Sequence, residues 1–259
     1  MSVLDEIVAR TRERVTERRR ARPIEDVVAE RAPARRPFAE ALARPGVNVI
    51  AEFKRRSPSR GLLRSDLTVE STARVYAAAG GAALSILTEQ DYFDGSLDDL
   101  KAARRATPSL PILRKDFVVD AYQVWEARAA GADAVLLIAA ALDDRELKSL
   151  LAEAHAARLE ALVEVHDEGE LDRALAAEAR LLGVNNRNLK TLEVSLETAL
   201  ALAPRIPDEV VAVAESGIRQ GGDVRRLRDA GYDAFLVGEH LISAPDPGRA
   251  LRELIAGGH

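Results

Sequence analysis

The sequence predicts an α/β fold: a single closed (β/α)8 TIM barrel over residues 1–259, with residues 1–46 as a helical N-terminal extension. Three observations predict it. Eight short, nearly continuous apolar runs punctuate the chain. Amphipathic segments alternate with them. A faint repeat of helix end, glycine and buried strand recurs about every 50 residues, the length of two βα units.

In chain order, residues 1–46 precede the first apolar run. Arg10 to Arg22 is rich in charge, with glutamates among the arginines, and reads as a solvated helix face; Pro33, Pro37 and Pro45 break the remainder into short pieces. Val47 to Ala51 is the first strand. Apolar residues at helical spacing predict a helix over Val69–Ala79, and the second strand follows it in Ala79-Gly80-Gly81-Ala82-Ala83-Leu84-Ser85-Ile86-Leu87. The third strand is Leu110–Leu113, followed by a helix over Ala121–Ala130. The repeat Ala130-Gly131-Ala132-Asp133 leads into the fourth strand, Ala134–Ile138, and a helix over Asp144–Ala156. The fifth strand is Leu159–Val165, with a helix over Glu168–Ala177. The sixth lies in the weaker copy Glu178–Asn185, the seventh is Val210–Ala214, and a helix over Gly222–Ala230 leads to the eighth in Ala230–Gly238. Apolar runs of this kind belong to parallel strands covered on both faces. Strands that alternate with helices form a parallel sheet. An open doubly wound sheet is the competing arrangement, but no Gly-x-Gly-x-x-Gly follows the first strand.

The composition excludes several function classes. The 259 residues are 47% hydrophobic and 31% charged, ordinary for a soluble protein, and the net charge of -5 argues against a nucleic-acid partner. There is no cysteine, so thiolate metal sites and a cysteine nucleophile are ruled out. The longest apolar run, Ala134–Leu142, is too short to span a bilayer, and the N-terminus lacks the apolar core of a secretory signal. A cytoplasmic protein with no membrane partner is expected. The histidines His155, His166, His240 and His259 show no metal-ligand spacing, so all four read as ordinary residues and no metal site is expected.

Barrels of this type carry their chemistry at the C-terminal ends of the strands. Glu52 and Lys54 follow the first strand and, two residues apart, share a face. Thr88 and Glu89 follow the second; Arg114, Lys115 and Asp116 the third; Glu164 ends the fifth; Asn185, Asn186 and Arg187 end the sixth. Glu215, Ser216 and Gly217 follow the seventh, and Gly238 the eighth. Any one of these is ordinary in a solvated loop. Together they gather two lysines and several carboxylates at one rim. Gly217 and Gly238 stand where such barrels cradle phosphate, since glycine lets main-chain amides approach an anion. Ser57-Pro58-Ser59-Arg60-Gly61 reads as a polar, mobile loop beside the same rim.

The motif Glu52-Phe53-Lys54-Arg55-Arg56-Ser57-Pro58-Ser59 resembles the signature of the indole-3-glycerol phosphate synthase family. The resemblance continues through Leu84–Glu89, Tyr92–Ser96, Leu113–Phe117, Asn185–Leu189 and Ala214–Ile218, and so covers nearly the whole chain. It implies conversion of 1-(2-carboxyphenylamino)-1-deoxyribulose 5-phosphate to indole-3-glycerol phosphate, with loss of carbon dioxide and water and with no cofactor or metal. The expected partner is that sugar-phosphate anthranilate molecule, and the chain is expected to be a monomer or weak homodimer. Another phosphate-binding barrel, such as phosphoribosylanthranilate isomerase or a Schiff-base aldolase, and a noncatalytic barrel that holds a phosphorylated metabolite are the alternatives.

The resemblance implies roles residue by residue. Lys115 is the general acid for ring closure, its acidity expected to rise with desolvation. Glu164 is its partner in dehydration. Lys54 holds the substrate carboxylate and shares in proton donation. Glu52 and Glu215 orient the lysines and substrate hydroxyls, Asn185 hydrogen-bonds the substrate, and Arg187 positions its loop. Ser57 and Ser216 belong to the substrate-binding set, with Ser57 near the carboxylate or phosphate. Phe93 and Phe117 wall the aromatic ring. Gly217 and Gly238 bind phosphate through backbone amides. In one departure from the family, Glu239 and His240 follow Gly238 where some members have serine. Glu239 is expected to turn its carboxylate away from phosphate and offer only its amide.

Overall fold

The computed structural model describes residues 3–30, 32–58, 60–64, 66–189 and 191–259. Eight parallel strands close on themselves in the order β1-β10-β9-β8-β7-β6-β5-β4, where β1 is Asn48–Phe53, β4 Ala83–Leu87, β5 Ile112–Lys115, β6 Ala134–Ile138, β7 Glu160–Val165, β8 Leu181–Asn185, β9 Val211–Glu215 and β10 Ala234–Val237. All eight barrel strands expected from the sequence are present. β1, β5 and β9 end one or two residues further along than their apolar runs alone indicate. Glu52, Lys115 and Glu215 therefore belong to the strands themselves rather than to the loops beyond them, as Glu164 and Asn185 do in β7 and β8.

Helices α4 (Val69–Ala78), α6 (Ala121–Ala130), α7 (Asp144–Ala156), α8 (Glu168–Ala176) and α10 (Gly221–Asp229) match the periodic segments. Further helices, α5 (Leu97–Ala106), α9 (Glu197–Leu202), α11 (Glu239–Ser243) and α12 (Pro247–Gly257), complete the outer layer without having been singled out in the sequence. The start of α5 carries a legible signal: Ser96 accepts the Asp99 N–H as an N-cap. The repeat places Gly131 at φ +94° at the end of α6, while its weaker copy places Glu178 in the same left-handed region at φ +61°.

Strand side chains alternate between two cores. Outward residues such as Val49, Ile112, Val163 and Val184 pack under the helices. Inward residues such as Ile50, Leu113, Leu162, Val213 and Leu236 fill the barrel. Phe38 and Leu42 of α3 (Phe38–Leu42) join this inner core and seal the N-terminal mouth. The sealed lower end leaves the C-terminal mouth as the place where a ligand can enter.

The N-terminal helix α1 (Val3–Ala21) lies against the C-terminal side of the barrel. Its arginines are not simply solvated, as the charge run alone implied. Arg12 pairs with Glu146, Arg14 with Asp91, Arg18 with Glu126 and Arg19 with Asp120. Those carboxylates follow or flank β4, β5 and β6, so the basic run is matched to an acidic rim. The segment after β1, expected as a polar, mobile loop, holds paired backbone. β2 (Arg56–Ser57) and β3 (Gly61–Leu62) form an antiparallel hairpin. Ser59 of the sequence motif lies outside the described residues.

A second tie secures the lower end. Buried Asp133 accepts the backbone N–H of Arg36 at 2.7 Å and that of Ile112 at 2.9 Å, and pairs with buried Arg104. It links the extension, α5 and β5. Asp133→Ala leaves the Arg104 guanidinium buried without its counter-ion, a change that costs about 3–5 kcal/mol. Urea denaturation followed by circular dichroism should show a loss of that size.

Candidate active site

Two-residue alternation along the strands puts the chemistry inside the barrel. Ile50, Leu113, Leu162 and Val213 point inward, so Glu52, Lys115, Glu164 and Glu215, two positions on, point inward as well, one layer higher. Their neighbour Arg114 points outward, where it donates to Asp116, Thr88 and the carbonyl of Gln123. The same strand end thus supplies a cavity lysine and a structural arginine.

The Lys115 ammonium donates to Glu164 Oε2 at 2.7 Å and to Glu215 Oε2 at 3.1 Å. Lys54 pairs with Glu52 at 2.8 Å, as their shared strand face implied. Glu52, Glu164 and Glu215 are buried, and Lys54 and Lys115 nearly so. Two glycines make room for them. A methyl group at Gly183 on β8 would overlap Glu215 Oε1, and one at Gly238 would overlap Glu52 Oε1. Those two positions are glycine because the carboxylates occupy the space a side chain would need.

These residues line a cavity of about 590 Å³ at the C-terminal mouth. Phe93 and Phe117 form one wall, their ring centroids 6.2 Å apart and tilted by 39°. Leu136, Ile138 and Leu236 form the apolar floor. Asn185, Arg187, Ser216, Gly217, Gly238 and Glu239 line the opposite side. Ser216 and Gly217 have consecutive positive φ angles of 66° and 82°, which folds the loop after β9 tightly at the cavity edge. Asn185 Oδ1 accepts the Arg187 backbone N–H at 3.0 Å. The Glu239 carboxylate is taken up by Arg60 at 2.8 Å and Arg187 at 3.4 Å. Of the residues expected from the sequence, Ser57 stands apart: it is buried in the hairpin and is not among those lining the cavity.

The electrostatics reverse one expectation. Desolvation does tend to release the proton of Lys115, but Glu164, Glu215 and Glu52 outweigh it and raise its pKa above the usual lysine value. Lys115 is a firmly charged ammonium. Its two carboxylate partners differ. Burial and the Glu164 charge outweigh Lys115 and push Glu215 up to about 8. Burial raises Glu164 too, but Lys115 and His166 together hold it well below the carboxylate range. His166, to which the sequence assigned no role, lies 3.3 Å from Glu164 and 3.0 Å from Glu170. No spacing pattern in the sequence pointed to it, because its partners are a strand residue and a helix residue that only the fold brings together. Arg60, which lines the cavity, was also missed; its sign, beside a rim carboxylate, was the only clue.

Among the described residues, no three histidine, aspartate or glutamate side chains are grouped as a metal site, and no helix is long and apolar enough to cross a membrane.

A model of the family described as "Indole-3-glycerol phosphate synthase" matches residues 4–254. The chain belongs to the indole-3-glycerol phosphate synthase family. Among the family's curated members, the indole-3-glycerol phosphate synthase of Polaromonas naphthalenivorans is 50% identical over 258 residues, covering 97% of this chain and 98% of the relative. That of Kineococcus radiotolerans is 50% identical over 266 residues, covering 100% and 96%. Among solved structures, 3-hexulose-6-phosphate synthase from Salmonella typhimurium superposes with a TM-score of 0.66 at 15% identity, over 82% of this chain and 98% of that one. This likeness reflects the shared barrel.

The raised groups make stability pH-dependent. Folded Glu215 keeps its proton up to about pH 8, whereas an unfolded glutamate loses it near 4.5. His166 is held as a cation up to about pH 10, against 6.5 when unfolded. In both cases the folded state binds more protons within the window, so stability falls as pH rises through it. The melting temperature should fall by a few degrees between pH 5 and pH 9, and Glu215→Gln should flatten that fall. A differential scanning series across this range checks both.

Proposed function

We propose that the protein performs the ring closure of its family, converting 1-(2-carboxyphenylamino)-1-deoxyribulose 5-phosphate to indole-3-glycerol phosphate, carbon dioxide and water, and that it is a carbon–carbon lyase of the carboxy-lyase class. The observation that carries this reading is the Lys115 ammonium, pinned at 2.7 and 3.1 Å between Glu164 and Glu215 in a cavity that also holds Lys54 and two phenylalanine rings.

The substrate fits the arrangement end for end. Its aromatic ring goes to the wall of Phe93 and Phe117, and its carboxylate to Lys54. Its phosphate goes to the loops after β9 and β10, at Ser216-Gly217 and Gly238-Glu239, the position such barrels use. Arg60 and Arg187 stand beside that end, and their positive charge suits it. Glu239 engages both arginines, so its carboxylate is neutralised rather than set against the phosphate.

In the first step the ring carbon that bears the carboxylate bonds to the ketone carbon. The carbonyl electron pair takes a proton from Lys115 and becomes a hydroxyl. An ammonium made firmly cationic by three carboxylates is a loaded acid at neutral pH, and an alkoxide forming beside it is more basic than the amine, so the transfer runs downhill. Carbon dioxide then leaves, and its bonding electrons restore the aromatic ring. The hydroxyl next departs as water, taking a proton from Lys54, which the lost carboxylate has freed, as the five-membered ring gains its double bond. Glu164, held ionised, takes the proton lost on the carbon side. Glu52 keeps Lys54 aimed at the carboxylate, and Asn185 and Glu215 hold the sugar hydroxyls.

The protein is read as a cytoplasmic enzyme for this small molecule, a monomer or weak homodimer, without a nucleic-acid or membrane partner; the net charge of -5 supports the absence of nucleic acid.

Incubation with the carboxyphenylamino sugar phosphate should yield indole fluorescence. Lys115→Ala should lower kcat by about a hundredfold or more while KM moves only a few-fold, as expected when an interaction made in the transition state is lost. Loss of affinity alone would remove Lys115 from the acid role. Glu164→Gln should slow turnover by about a hundredfold, and normal turnover in that variant would dismiss the carboxylate from the mechanism. Borohydride should trap no lysine adduct, in contrast to an aldolase.

A further inference from the structure

His166 follows β7 directly, and its imidazole lies between two carboxylates. Nδ1 is 3.0 Å from Glu170 Oε2, and the same oxygen accepts the His166 backbone N–H at 2.8 Å. Glu170 is itself placed by the cap of α8, where Asp167 Oδ1 accepts its N–H at 2.9 Å. The ring is therefore fixed by the start of a helix and not by anything in the cavity. On its other side, Nε2 is 3.3 Å from Glu164 Oε1, an ion-pair contact without the straight geometry of a hydrogen bond.

This contact breaks a symmetry. Glu164 and Glu215 are both buried, and each reaches the same ammonium through Oε2. Two buried carboxylates this close to one lysine repel each other, and ionising both is costly. Glu164 has a second cationic neighbour at Oε1. Glu215 has none, and its Oε1 is buried without a hydrogen-bond partner.

We infer that His166, clamped by Glu170, is a positioning residue that keeps the negative charge of the Glu164–Glu215 pair on Glu164 and holds Glu164 Oε2 toward Lys115. Its consequence for turnover rests on the lyase reading above; its electrostatics do not. The groups facing it are few. Glu164 on β7 and Glu170 on α8 face the imidazole, while Lys115 on β5 and Glu215 on β9 face Glu164 across the barrel, and Glu52 on β1 acts on Lys115. The adjoining strand ends contribute Ile138 on β6 and Val184 on β8, neither charged. Burial opposes a charged imidazole, but the two carboxylates outweigh it and raise its pKa to about 10, so the ring is cationic through neutral pH. It does not need to lose its proton to act. Its service is a fixed positive charge on one side of a balanced pair.

The test is His166→Gln, which keeps a polar planar side chain and removes the charge, with Glu170→Gln as a second variant that leaves the imidazole but loosens its clamp. Carboxyl ¹³C NMR of the substrate-free protein reads the charge directly. In the wild type nearly all the shift change of the pair's titration, near pH 8, should fall on Glu215. In His166→Gln about half or more of it should move to Glu164, and in Glu170→Gln a smaller share should move the same way. Turnover gives an independent signature. Below the titration His166→Gln should lose about twofold or more in kcat, in step with the share of the proton that has moved to Glu164, with KM within about twofold. Above it both carboxylates are ionised, and kcat should recover toward the wild-type value. Unchanged carboxyl amplitudes in His166→Gln would overturn the inference, and so would a kcat deficit that is the same at every pH. If the wild type forms no indole product, the lyase reading fails, and the NMR amplitudes still decide the role of His166.

Discussion

The site depends on one buried ion cluster: the Lys115 ammonium held among Glu164, Glu215 and, at longer range, Glu52. Removing a charge from water is expensive, and a cluster with three carboxylates and few cations would not stay charged by itself. Lys115, Lys54 and His166 match the three carboxylates in number, and Glu215, the most weakly compensated of them, retains its proton to about pH 8. Gly183 and Gly238 supply the space. The apolar floor of Leu136, Ile138 and Leu236 keeps the charges at the mouth and prevents them from drawing water into the barrel. Each of these features is a condition on the others, so the cluster is a property of the closed barrel and of no single strand.

The rest of the chain works to hold that arrangement from both ends. Below, Phe38 and Leu42 seal the barrel, and Asp133 ties the extension to β5 and α5. Above, α1 sets its arginines against the acidic rim beside β4, β5 and β6. Arg18 reaches Glu126, which in turn meets Arg114 at 3.4 Å, and Arg114 holds Asp116 next to Lys115. The extension therefore reaches the site through paired charges rather than through contact with the cavity. Isolated exposed ion pairs of this kind are weak, but a linked set anchored on a buried arginine is more rigid than its members.

The mixture of rigidity and charge suits the chemistry. A substrate with an anion at each end needs positive charge at two separated places, and the proposed binding mode uses Lys54 for one and Arg60 with Arg187 for the other. Between them, proton transfers require a filled acid and an empty base side by side. The same two carboxylates around one lysine would be interchangeable in a symmetric setting. His166 and its clamp from α8 make them different, which divides the roles without any change in residue type.

The sequence by itself determined the barrel, because the apolar runs, the helical periods and the glycine-bearing repeat are local patterns that each strand or helix obeys on its own. It also determined that Glu52 and Lys54 share a face, since two-residue alternation needs no tertiary information, and the family motifs contain about half of the residues that line the cavity. The fold alone decided the remainder. Lys115 was expected to lose its proton readily, but three carboxylates from separate strands converge on it and bind the proton more tightly. The arginines of α1 were expected in solvent; they stay partly exposed but also meet carboxylates of the loops and helices that follow β4, β5 and β6. His166 carried no family motif yet touches Glu164. In every such case the deciding quantity is a Coulombic or steric contact between residues far apart in the chain, and periodicity along one strand or helix holds no record of it.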